Sequence, residues 1–152
     1  MTTSTSTSTT IEPIRPRALR VRGDRALGVV GAAIAATAVW AIAVSLLGVR
    51  LQVRFGGGAL QGVGIDAVLI SSLLGSLVGW GVLALLEQRT ARARAIWTGL
   101  ATAGVLASLS LPLIAGATIS TKATLALMHL AVGAVLIPAM RRASSHLSLI
   151  HI

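Results

Sequence analysis

Four ionisable side chains stand within or at the ends of long apolar runs: Asp66, Glu87, Lys122 and His129. A charge or an imidazole is costly in hydrocarbon, so each is a functional candidate by default. Lys122, Ala126, His129 and Gly133 recur at i, i+4, i+7 and i+11, which puts them on one helix face. That face is narrow, small and partly polar, so it is expected to point into a bundle rather than at lipid. His129 then has two readings. It is a proton-responsive or ligand-contacting imidazole, since its titration lies nearest neutrality, or it is a neutral ring hydrogen-bonded to a neighbouring helix. The second is the plainer and is preferred. Asp66 either pairs with Lys122, at a membrane level both share, or sits in a first helical turn where the dipole favours an anion. The dipole reading is preferred. Glu87 stands beside Arg89 at a membrane edge and is expected to be solvated.

These groups do not add up to a catalytic or metal centre. No nucleophile, base and acid fall into one set. One histidine with one carboxylate falls short of a metal site. Gly56 to Gly58 lacks the Lys and Ser/Thr of a phosphate loop. The absence of cysteine excludes disulfides, thiolate metal sites and cysteine nucleophiles. No enzyme activity, cofactor or metal is expected.

The elements that must position these residues follow from composition. The chain has 152 residues, of which 55% are hydrophobic and only 11% charged, with a mean hydropathy of +0.87. A soluble domain carries about 25% charged residues, so lipid must cover much of this surface. The net charge of +9 could suggest nucleic acid. The cations, however, lie between and outside the apolar runs, and no solvated basic face is left for phosphate contacts. A nucleic-acid partner is not expected; the lipid bilayer is.

Four runs predict four transmembrane helices, at about 26–48, 65–86, 95–117 and 123–140. The first, at 1.5 Å per residue, reaches about 34 Å, enough to cross a hydrocarbon core of about 30 Å. The fold expected is all-α, a four-helix membrane bundle. Residues 1–25 form a Ser/Thr-rich, then basic segment in which Pro13 and Pro16 oppose helix, and it is expected to be disordered. Val49 to Gly64 reads as a loop made flexible by its glycines. Residues 143–152 form a short tail. Its last part, LSLIHI, resembles the translated end of a sequencing adapter, and on either reading His146 and His151 are no metal site.

Orientation follows from the arginines and lysines. Arg15, Arg17, Arg20, Arg22, Arg25, Arg89, Arg92, Arg94, Arg141 and Arg142 fall on one side of a four-span layout, and Arg50, Arg54 and Lys122 on the other. Both termini are therefore expected in the cytoplasm of a multi-pass inner (plasma) membrane protein. Trp97 falls just inside the third span, at the level of an interfacial aromatic belt.

Small residues supply the packing faces. Ser72, Gly75, Ser76 and Gly79 form a stripe on the second span, and Gly28, Ala32 and Ala36 a similar one on the first. Such stripes let backbones approach closely, within one chain or between chains. Thr98 and Thr102, one turn apart, can bond their own backbone or a neighbour. Pro112 and Pro138 each free a carbonyl and predict a kink.

The stretches Gly79 to Trp97 (GWGVLALLEQRTARARAIW) and Ala123 to Met140 (ATLALMHLAVGAVLIPAM) carry a resemblance. They are similar to an uncharacterised family of small actinobacterial four-helix membrane proteins, a domain of unknown function. The resemblance implies fold and location and no catalytic residues. The function expected is therefore a non-enzymatic structural or accessory membrane subunit, acting as a homo-oligomer or with a membrane partner protein. The alternative is a small oligomeric transporter or channel subunit with His129 as a polar contact inside the membrane. A deep, water-lined cavity at His129 would favour transport; a dry bundle would favour the structural role.

Overall fold

A computed structural model describes residues 17–54, 57–110 and 116–145. Among them are four α-helices: α1 (Arg17–Ala41), α2 (Ile65–Arg89), α3 (Ala93–Ser108) and α4 (Ile119–Ser145). A π-helical turn, Ile42–Leu46, extends α1. Strands β1 (Gln52–Val53) and β2 (Gln61–Gly62) pair antiparallel between α1 and α2. Three helical stretches, Leu19–Leu46, Ile65–Arg89 and Ile119–Ala143, are long and apolar enough to cross a membrane. With 16 residues, α3 reaches only about 24 Å. Residues 111–115, with Pro112, lie outside the described residues, as do residues 1–16 and the tail from His146 onward.

Helix α1 begins at Arg17, inside the segment expected to be disordered. The arginines of this segment are compatible with helix because one of them, Arg25, meets a carboxylate in the bundle. Its Nη2 donates to Glu87 Oε1 at 2.6 Å. Glu87 is thus not solvated as expected: the side chains of Arg25 and Glu87 are 6% and 24% exposed. The other end of α1 closes on Gly48, whose φ of +62° suits glycine. There Leu47 N–H donates to Ile42 O and Val49 N–H to Ala43 O.

The segment expected as a flexible loop is tied down instead. Leu51 and Val53 are buried. Arg54 and Gly116 exchange both backbone hydrogen bonds, at 3.1 and 3.0 Å. Trp40 Nε1 donates to Val63 O, and Thr121 Oγ1 donates to Arg50 O. The connections α1–α2 and α3–α4 therefore meet as one cap.

Helices adjacent in the order α4, α1, α2, α3 and back to α4 run antiparallel, as the contact pairs show, and α2 and α4, which meet where Gly79 touches Leu136, run parallel. Arg25 meets Glu87 across α1 and α2. Gly28 lies against Ala139, and Gly31 against Val135, across α1 and α4. Gly133 lies against Val105 across α4 and α3. The core has two parts. Val29, Ala32, Leu83, Trp97, Leu136 and Met140 fill the end where the arginines gather. Ala36, Leu51, Val68 and Met128 fill the capped end. Large apolar side chains such as Leu27, Ile34, Ile70, Leu74 and Leu127 are exposed around the outside, which suits contact with acyl chains.

Candidate functional site

The small-residue stripes are used unequally. Gly28 and Gly133 are closed contacts. A Cβ built on Gly28 would come within 2.8 Å of Ala139 Cβ, and one on Gly133 within 2.8 Å of Val105 Cγ2. Ala32 and Ala36 continue the α1 stripe and are buried. The α2 stripe splits. Ser72 and Ser76 face the core, Ser72 Oγ donating to Leu69 O and Ser76 Oγ having no hydrogen-bond partner among the described residues. Gly79 touches Leu136 and Trp97, whereas a Cβ on Gly75 would meet nothing within 4 Å.

The face left open belongs to a crevice of about 420 Å³. Ser71, Gly75 and Gly79 form the α2 wall, and Ala101, Gly104 and Ser108 the α3 wall. Met128, His129, Val132 and Gly133 of α4 complete it. A Cβ on Gly104 would likewise meet nothing within 4 Å. The walls join where α2 turns into α3. There Trp97 Nε1 donates to Gly79 O at 2.7 Å. Trp97 is only 2% exposed, so it is a core residue rather than the interfacial one expected. Its ring is amphipathic, but the Gly79 carbonyl, on a face without a side chain, accepts a second hydrogen bond and satisfies the N–H inside the bundle.

His129 lines this crevice and is half-buried. Its Nδ1 lies 2.7 Å from Leu125 O, one turn back on its own helix. A carbonyl can only accept, so Nδ1 carries a proton, and in the neutral form of the ring Nε2 is an acceptor. The partner is thus in the same helix and not in a neighbouring one. Gly133 shares the face with His129, as the spacing predicts, and both reach the crevice. Asp66 is exposed in the first turn of α2, and among the described residues it pairs with neither Lys122 nor His129. Lys122 and Ala126 are half-buried and do not line the crevice. Thr98 Oγ1 donates to Arg94 O on its own helix. Among the described residues no three histidine or acidic side chains group as metal ligands.

The crevice is neither of the two cases anticipated. It is a real cavity at His129, yet its walls are mostly glycine, alanine and aliphatic side chains. Fold and site together define an all-α bundle with three membrane-length helices and a lateral, small-residue crevice. The chain belongs to DUF6069, a family of unknown function whose model matches residues 16–146. No curated protein and no solved structure matches it.

Proposed function

We propose that the chain is a four-span accessory subunit of the plasma membrane, with both termini in the cytoplasm. In this reading its crevice receives a transmembrane helix of a partner protein. The observation that carries it is the pair Gly75 and Gly104. They stand on opposite walls, and each has open space where a Cβ would lie. Small residues on membrane helices let another backbone approach closely. Gly28 and Gly133, by contrast, are already engaged in contacts within the chain. A wall mostly of small and aliphatic residues, with a few acceptors among Ser71, Ser108 and His129, suits an apolar helix carrying a Ser, Thr or Asn donor.

What supports four spans is the backbone pairing of Arg54 with Gly116. It returns the chain after α3 to the level of the α1–α2 connection, while α3 starts near Glu87 and Arg25. Sidedness rests on the arginines: Arg25, Arg94, Arg141 and Arg142 gather at one end, and Arg50 and Arg54 at the other.

The test is site-specific photocrosslinking in intact cells. A crosslinking residue at Gly75 should give a discrete protein adduct, and that adduct should vanish when Gly104→Leu blocks the opposite wall. The same residue at Leu127, which is exposed on α4, should give lipid adducts alone. Lipid adducts alone from Gly75 would defeat the accessory-subunit reading.

A further inference from the structure

Five side chains in the lining of the crevice between Gly75 and Gly104 carry a hydrogen-bond donor: Ser71, Ser72, Trp97, Ser108 and His129. Each gives its proton to a backbone carbonyl. Ser71 Oγ donates to Val68 O at 3.2 Å, Ser72 Oγ to Leu69 O at 3.1 Å and Ser108 Oγ to Val105 O at 2.7 Å. Trp97 Nε1 donates to Gly79 O and His129 Nδ1 to Leu125 O, both at 2.7 Å. A serine hydroxyl has one proton and an indole one N–H. Backbone N–H groups inside the helices are bonded one turn back. What the crevice offers an occupant is therefore acceptors: the serine oxygens and, with the ring neutral, His129 Nε2. The lining holds no carboxylate, lysine or arginine.

These acceptors are not equivalent. A serine oxygen bonded back to its own helix stays close to that backbone. The imidazole reaches further, and Nε2 lies across the ring from the bond to Leu125. Its depth also sets it apart. Helices α2 and α4 both start at the cap, and Gly75 stands ten residues after Ile65, as His129 does after Ile119. At 1.5 Å per residue both lie about 15 Å from the cap, half of a hydrocarbon core of about 30 Å. Gly104 belongs near the same level, because its neighbour Val105 packs on Gly133, one turn beyond His129. The acceptor with the longest reach thus sits where the two open glycines let another backbone come closest. At that depth there is no water to compete for the bond, and an acyl chain brings no donor.

We propose that His129 is the specificity-determining residue of the crevice: its Nε2 accepts a hydrogen bond from a hydroxyl or amide group of the docked helix at mid-membrane depth, and so selects donor-bearing helices over helices that bring only acceptors. The proposal rests on the helix-docking reading and deepens it by fixing the chemistry and the level of the partner's polar residue.

The experiment uses the full chain in phosphatidylcholine vesicles, with a fluorescent dye on the single cysteine of Ser120→Cys. Its ligands are two quencher-labelled, lysine-flanked leucine–alanine membrane peptides. One carries serine at its centre; the other carries O-methylserine, which keeps the oxygen and lacks the proton. The serine peptide should bind about threefold more tightly, the average worth of a hydrogen bond between membrane helices. His129→Leu should bring the two affinities together at the level of the O-methylserine peptide, whereas Ser71→Ala/Ser108→Ala should keep the preference. Gly104→Leu should abolish binding of both peptides. Equal affinities for the wild type, or a preference that survives His129→Leu, would overturn the proposal and leave helix docking standing so long as Gly104→Leu still blocks it. If neither peptide binds, or both bind regardless of Gly104→Leu, the docking reading falls and the proposal with it. In wild type carrying isotopically labelled histidine, the serine peptide should shift the Nε2 resonance of His129 and the O-methylserine peptide should not; identical spectra with the two peptides would refute the bond without any change at His129.

Discussion

Replacing Gly133 by alanine adds one methyl group at the tightest crossing of α3 and α4. The new Cβ would lie 2.8 Å from Val105 Cγ2 and 3.4 Å from Cγ1. Carbon atoms rest at about 3.5–4.0 Å, so the helices must part by a large fraction of an ångström or Val105 must leave its rotamer. Overpacking of this kind costs about 1–3 kcal/mol, against a gain of about 1 kcal/mol in helix propensity. The net expectation is a loss of up to about 2 kcal/mol. Gly28→Ala meets Ala139 Cβ at the same 2.8 Å and should behave alike. Gly75→Ala meets nothing within 4 Å, keeps the propensity gain and should stabilise by about 0.5–1 kcal/mol. The assay is reversible unfolding in mixed micelles, or a steric-trap measurement in bicelles. Val105→Ala removes both methyl groups and leaves only Val105 Cβ, at 3.7 Å. The Gly133→Ala/Val105→Ala double variant should therefore be more stable than the sum of its parts by about 1 kcal/mol or more. Equal effects at Gly133 and Gly75, or strict additivity in the double variant, would refute the assignment of one glycine to packing and the other to an open wall.

The pair of Arg25 with Glu87 should matter more than a surface salt bridge. Glu87→Gln leaves a guanidinium that is 6% exposed without its anion. In the same assay it should cost about 3 kcal/mol, the lower end of the range for breaking a buried pair, because Glu87 is itself partly exposed. A loss under about 0.5 kcal/mol would mean that Glu87 is solvated after all. Trp97→Phe keeps an aromatic ring but removes the indole hydrogen bond to Gly79 O. It should destabilise by about 1–2 kcal/mol, visible as a lower unfolding midpoint, and an unchanged midpoint would show that the indole bond is dispensable.

The helices were legible in the sequence because long uncharged runs allow little else. Their ends were less so. Residues 11–25 read as unfit for helix from Pro13 and Pro16, yet Arg17 to Arg25 is helical and Arg25 finds Glu87. Only a partner 62 residues away makes that arginine compatible with the bundle, and sequence spacing does not reveal it. The ends of α4 extend through Lys122 and past Arg142 for a related reason: long cationic side chains can keep their heads in water while the backbone continues. The Val49 to Gly64 segment carries glycines that suggest flexibility. What orders it are backbone bonds to Gly116 and two-residue strands, which leave no pattern in side-chain types. The Gly75 and Gly79 stripe was legible as a close-approach surface, but not that Gly75 stays open while Gly79 is covered. Trp97 was placed by residue type, and residue type alone does not identify a carbonyl two helical faces away.

The central claim is that α3 crosses the membrane although it has only 16 residues. The chain contains no cysteine, so single cysteines report their own position. Ala91, between α2 and α3, and Ser120, at the start of α4, are both exposed. Ala91→Cys and Ser120→Cys should be probed with a membrane-impermeant thiol reagent, on intact cells and on inside-out vesicles. The account predicts opposite behaviour: Ser120→Cys labels in intact cells, and Ala91→Cys labels only in inside-out vesicles. Labelling of both positions from one side would take α3 out of the membrane and contradict the four-span bundle.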